Sequence, residues 1–326
     1  MRDIAVFSGS AHRELAAEVC AELGVPLQPS RLTRFANDCL EVQLQANCRE
    51  RDVFLIQPLV TPVQEHLVEL LLMIDAARGA SAGRVTVVMP HYAYARSDKK
   101  DAPRISIGGR LMADLMVAAG ADRILTMTLH SPQVHGFFSI PVDHLHALRE
   151  IAAHFSADDL SNTVVVSPDL GNAKEAASFA RMLGVPVAAG AKQRFADDRV
   201  AITSVIGDIN GRDVIVLDDE IAKGSTIIEL IRVLREQGVG SVRVACTHGL
   251  FTSGALQRIG DLPEVREVVC TNTVPIPAAQ RSGRSELLTV LSIAPAMAEA
   301  MRRIHDGESV SALFTRDEPI SGQGLF

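Results

Sequence analysis

The sequence predicts an α/β protein of two domains, each a mostly parallel sheet flanked by helices. Three observations predict it. Short β-branched runs alternate with longer stretches of helical spacing, the 326 residues are about twice the length of an ordinary domain, and a polar helical stretch interrupts the alternation near the middle.

The strands come first in the argument. Runs resembling buried strands start at Ile4 (IAVF), Val53 (VFLIQ), Arg84 (RVTVVM), Arg123 (RILTMT), Thr163 (TVVVS), Val214 (VIVLDD) and Val242 (VRVACT). Between them, residues 63–79, 107–119, 173–183 and 226–237 have the spacing of amphipathic helices, several closed by glycine. Alternating strand and helix implies βαβ units and parallel pairing. The polar stretch HLHALREIAAHFSADDL, residues 144–160, sets a boundary near residue 145, giving domains 1–145 and 146–292. A last apolar helix and tail, 293–326, can pack on either domain, the N-terminal one included.

Composition narrows the function. With 47% hydrophobic and 22% charged residues, the chain can bury an interior without metal or disulfide staples. A net charge of -7 excludes the basic face that nucleic acid demands. Cys20, Cys39, Cys48, Cys246 and Cys270 are odd in number and scattered, which points to free thiols in a reducing cytoplasm. The opening MRDIAVFSGS reads as a strand, and the apolar run from Leu70 to Ile74, flanked by Glu69 and Asp75, is too short to span a bilayer.

In open α/β sheets ligands sit beyond the carboxyl ends of strands. The segment VIVLDDEIAKGST delivers two adjacent acids, Asp218 and Asp219, and then Lys223, Gly224, Ser225 and Thr226 at the start of a helix. Amides of such a turn make a phosphate cradle, and the acids can accept hydrogen bonds from the vicinal hydroxyls of a ribose. On the residues alone, the competing reading is that the two aspartates cap the turn that follows them.

Several segments resemble those of ribose-phosphate pyrophosphokinases, in the same order and almost from end to end: RFANDCLEVQL, ASAGRVTVVMPHYAYARSDKK, LTMTLHSPQVHGFFSIPVDHL, VVVSPDLG, IGDINGRDVIVLDDE and AEAMRRIHDGESVSALF. The resemblance implies two phosphoribosyltransferase-like domains and a reaction in which the C1 hydroxyl of ribose 5-phosphate attacks the β-phosphorus of ATP, with Mg2+ as cofactor, releasing AMP. By position it assigns His130 and Asp169 to the metal and Lys192 and Arg194 to a catalytic loop, with His130 also in the catalytic set. Arg96, Ser97 and Asp98 match the ATP site. The loop from Phe35 to Cys39, with Asn37, Asp38 and Cys39, is expected to complete a neighbouring subunit's adenine pocket in a homo-oligomer, commonly a hexamer. Read without the family, His130 is a strand-end histidine bonded to backbone and the 192–194 segment a solvated basic loop.

Relatives usually carry D-D-x-x-D-T-G-G-T across the sugar-phosphate loop, where this chain has Ala222, Lys223 and Ser225. Asn37–Asp38–Cys39 stands for D-G-E, Ser97 for glutamine and Thr128 for aspartate. These departures leave two alternatives beside the enzyme: a paralogue acting on another sugar phosphate, and a non-catalytic scaffold that binds without turnover. A phosphoribosyltransferase consuming the activated sugar ranks last, because it leaves the N-terminal half unexplained.

Overall fold

The computed structural model describes residues 3–196, 199–277 and 286–314. Its residues divide into two units: the described residues of 1–145 with 273–275 and 292–314, and those of 146–272 with 276–291.

The first unit begins with β1 (Ile4–Ser8), α1 (Arg13–Leu23), β2 (Leu27–Gln28) and an antiparallel hairpin of β3 (Ser30–Arg34) and β4 (Leu40–Leu44). It continues through β5 (Asp52–Ile56), α2 (Val63–Gly79), β6 (Arg84–Met89), α3 (Gly108–Ala119), β7 (Arg123–Met127) and β8 (Val142–Leu145). Six strands form one parallel sheet in the order β2-β1-β5-β6-β7-β8. Every residue of β5 is buried, which explains why it reads as an unbroken apolar run rather than an alternating one. Phe7, Leu55, Val87, Ile74 and Met116 share the core between sheet and helices, each side chain contributing about 1.5–3 kcal/mol on burial.

The second unit runs α4 (Leu148–Phe155), β9 (Thr163–Ser167), α5 (Ala173–Leu183), β10 (Val187–Ala196), β11 (Arg199–Ile206), β12 (Asp213–Ile221), α6 (Ser225–Glu236), β13 (Val242–Gly249), α7 (Ala255–Gly260), β14 (Val265–Thr271) and β15 (Leu288–Leu291). Its seven strands lie in the order β11-β10-β9-β12-β13-β14-β15, all parallel except the β10/β11 pair. Chain order reverses between β9 and β12: from β9 the chain steps outward to β10, from β12 it steps the other way to β13. Such a switch point opens a crevice at the carboxyl ends of the two strands.

The last helix, α8 (Ala294–Asp306), belongs to the first unit. A charged knot holds it there. Asp52, 1% exposed, accepts from Arg84 Nε at 2.8 Å and also bonds the Arg84 terminal nitrogen, while His305 Nδ1 lies 2.9 Å from its other oxygen. Arg84 also donates to the Ile304 carbonyl at 2.9 Å. Removing one member of such a group strands the others, so Asp52→Ala is expected to destabilise the first unit by about 3 kcal/mol, read from chemical denaturation followed by far-UV circular dichroism.

Candidate active site

In the first unit the expected nucleotide segment is braced against the start of α3. Ser97 takes the Gly108 amide on its hydroxyl at 2.9 Å and the Gly109 amide on its carbonyl at 3.0 Å. A Cβ on Gly109 would come within 2.9 Å of the Tyr94 carbonyl, so only glycine permits this approach. Arg96 is exposed beside the braced turn and Asp98 half-buried. Asn37, Asp38 and Cys39 form the tip of the β3–β4 hairpin, where Asn37 Oδ1 accepts the Cys39 amide at 3.3 Å and Phe35 is 48% exposed. Arg34 ties that tip to α2 through ion pairs with Asp38 and Glu65.

His130 follows an uncommon piece of backbone. Thr128, immediately beyond β7, has φ of 41°, a left-handed conformation that a β-branched residue adopts at a cost of about 1–3 kcal/mol. Its amide donates to the Leu145 carbonyl at 2.8 Å, the Leu129 amide donates to His144 Nε2 at 2.8 Å, and His130 emerges exposed. The flanking hydrogen bonds hold this strained residue in place.

The first unit's own switch point, between β1 and β5, is filled by its side chains. Glu69 accepts the Ser10 amide at 2.9 Å and hydroxyl at 2.6 Å, and Gln57 Oε1 accepts the Ala11 amide at 3.1 Å. At the same place in its topology the second unit carries acids. Asp169 stands just past β9 and Asp218 and Asp219 near the end of β12, on the two sides of the crevice. Asp169 Oδ1 accepts the amides of Gly171 at 2.9 Å and Asn172 at 3.1 Å, while Asn172 Nδ2 reaches across to the Leu217 carbonyl at 3.2 Å. Asp218 Oδ1 accepts the Asp219 amide at 3.0 Å. Burial, then the neighbouring Asp219 carboxylate, and more weakly Asp169, push the Asp218 carboxyl well above its ordinary range. The folded chain therefore holds the Asp218 proton more tightly than an ordinary carboxyl does.

Beyond them the chain turns through Gly224, whose φ of 70° is left-handed, directly into the right-handed residues of α6. No side chain caps the first-turn amides of this helix, which lie at the positive end of its dipole. A Cβ at Gly224 would lie 3.1 Å from Ile259 and 3.2 Å from Ala255. Gly224→Ala is expected to lose about 1–2 kcal/mol of stability and to weaken sugar-phosphate binding with it, measured by thermal unfolding and by steady-state KM.

Lys192 and Arg194 do not lie on a loop. Their backbone is strand, paired with Ile202 and Val200 of β11 between two register shifts, and extends past the last β10–β9 pair at Ala189. The expectation of a loop gave too little weight to the β-branched run RVAITSVI that follows and gives the segment a partner. Residues 197 and 198 lie outside the described residues. The structure thus brings Asp169, Asp218, Asp219 and residues 223–226 together in one unit, and places His130, Arg96–Asp98 and Asn37–Cys39 in the other. Sequence reasoning missed Asn172; an Asx residue immediately before a helical run, a few positions after a strand, is the signal that finds it.

The chain also matches known proteins. Residues 4–120 match the model of the N-terminal domain of ribose phosphate pyrophosphokinase, and residues 191–315 that of the phosphoribosyl synthetase-associated domain. A ribose-phosphate pyrophosphokinase from Deinococcus radiodurans is 49% identical over 312 residues, covering 95% of this chain and 97% of its own. The chain belongs to the ribose-phosphate pyrophosphokinase family. A Streptomyces coelicolor relative, whose name marks the same activity as provisional, is 77% identical over 314 residues, covering 96% of this chain and 98% of its own. Among solved structures, phosphoribosylpyrophosphate synthetase from Mycobacterium smegmatis superposes with a TM-score of 0.88 at 39% identity, over 94% of this chain and 100% of that one.

Proposed function

We propose that the chain transfers pyrophosphate from MgATP to ribose 5-phosphate, giving phosphoribosyl pyrophosphate and AMP. The observation that carries this reading is the second unit's crevice, where two adjacent acids lead through left-handed Gly224 into an uncapped helix start. Asp218 and Asp219 accept the ribose hydroxyls, and the amides of residues 224–226 hold the 5-phosphate, with the Lys223 ammonium nearby. The C1 hydroxyl oxygen then bonds the β-phosphorus, the bridge between α- and β-phosphorus breaks, AMP leaves with the bridging oxygen, and the hydroxyl proton is lost. Lys192 and Arg194 neutralise charge spread over the transferring group, and Arg96, Ser97 and Asp98 hold the nucleotide.

The donors present suit Mg2+. Among the described residues no group of three or more His, Cys, Asp and Glu side chains is arranged to hold a metal by itself. Mg2+ is characteristically bound by one or two carboxylates together with substrate phosphates, and the acids Asp169, Asp218 and Asp219 offer such oxygens. Asp169 is the residue of the second unit we assign to it, and His130, in the first unit, is assigned to the metal by the family resemblance alone; when bound, the ion would neutralise the polyphosphate.

The exposed hairpin tip at Asn37–Cys39 suits a contribution to a neighbouring subunit's adenine pocket, so we read the enzyme as a homo-oligomer. Among the described residues no helix is long and apolar enough to cross a membrane, and the five cysteines are free, which supports a reducing cytoplasm. We read the two units as the domains foreseen at residue 145, the first serving ATP and assembly and the second the sugar phosphate. Incubating the full chain with ATP, Mg2+ and ribose 5-phosphate is expected to release AMP, each omission abolishing it; ATP left intact in the complete mixture contradicts the reading.

A further inference from the structure

The phosphate turn has a wall behind it, built from the segment after β13. Phe251 donates its amide to the Ile221 carbonyl at 3.0 Å, and both Phe251, with φ of 43°, and Ser253, with φ of 55°, are left-handed. That strained bend delivers α7, whose Ala255 and Ile259 pack closest to Gly224. From the same helix Arg258, itself exposed, donates from its terminal nitrogen to the Lys223 carbonyl at 2.5 Å.

We propose that Arg258 is a positioning residue of the phosphate turn. A trans peptide is planar, with its carbonyl and N–H pointing in opposite directions. Arg258, by holding the Lys223 carbonyl on one side, fixes the Gly224 N–H toward the other. Left-handed Gly224 followed by helical Ser225 then lines up successive amides as a concave anion site. The guanidinium stands behind the turn and acts through this peptide rather than on the ligand. Arg258 is joined to a carbonyl 35 positions away while remaining exposed, so its bond serves the turn's shape far more than the core.

This inference rests on the ribose 5-phosphate reading above, and the test separates the two. In the full-length enzyme, Arg258→Ala is expected to raise KM for ribose 5-phosphate about tenfold while KM for MgATP and the melting temperature stay at wild-type values. Arg258→Lys, which keeps a donor of similar reach, is expected to recover most of the loss. An unchanged KM for ribose 5-phosphate in Arg258→Ala, or both KM values rising together with a lower melting temperature, overturns the positioning role while leaving the activity standing. Wild-type protein that releases no AMP in response to ribose 5-phosphate overturns both.

Discussion

Asp218→Asn is expected to cut kcat/KM for ribose 5-phosphate about 100-fold and, at the same time, to raise the melting temperature at neutral pH. The first effect follows from removing a charged acceptor from the sugar hydroxyls, each such bond being worth about 1.5–3 kcal/mol. The second follows from electrostatics. Burial and the adjacent Asp219 raise the Asp218 carboxyl well above its ordinary range, so the folded protein holds this proton more tightly than the unfolded chain does. Asp218 therefore favours folding at low pH, and that advantage is lost as pH rises through the raised value, where a charge must be kept in a poorly solvated, like-charged crevice. Asparagine carries no such charge. Its gain in melting temperature is expected to widen from acidic pH toward neutrality, at about 2–4 °C per kcal/mol for a protein of this size. Calorimetric scans of both proteins across that range, beside steady-state kinetics, check the pair of effects together; equal melting temperatures at every pH contradict the electrostatic account.

Lys192→Ala is expected to lower kcat about 1,000-fold, the scale of a preorganised charge removed from a transition state, with little change in KM for ribose 5-phosphate. The fold is expected to persist. Lys192 sits on the part of β10 beyond its described pairing with β9, where its backbone pairs with β11, and truncating its side chain is expected to shift stability by less than about 0.5 kcal/mol. Single-turnover measurement of AMP formation, with circular dichroism as the control for folding, gives both numbers. A variant that turns over at the wild-type rate removes the 192–194 arm from the chemistry.

The parts of this structure that could be read from the sequence are those with local causes. β5, β9 and the Val214–Leu217 stretch of β12 are buried on both faces, so they form continuous apolar runs, and Asp218 and Asp219 stand out just beyond the last of them. The α2 and α5 spans follow the helical period, and α5 ends on left-handed Gly184. The β3–β4 hairpin is obscure because its strands are only half-buried, with charges such as Arg31 and Glu41 facing out. The site's bracing is obscure for another reason: Asn172 meets Leu217 across 45 positions and Arg258 meets Lys223 across 35, contacts that no periodicity encodes. The motif names the ligand side of the crevice, whereas the residues holding its shape come from strands and helices brought alongside only by the fold.

Everything proposed for the sugar depends on where its phosphate rests. A crystal structure of the enzyme with ribose 5-phosphate tests this most directly. The expected result is a phosphate on the amides of residues 224–226, with ribose hydroxyls on Asp218 and Asp219; a sugar phosphate bound elsewhere, with that turn empty or filled by the Lys223 side chain, contradicts it.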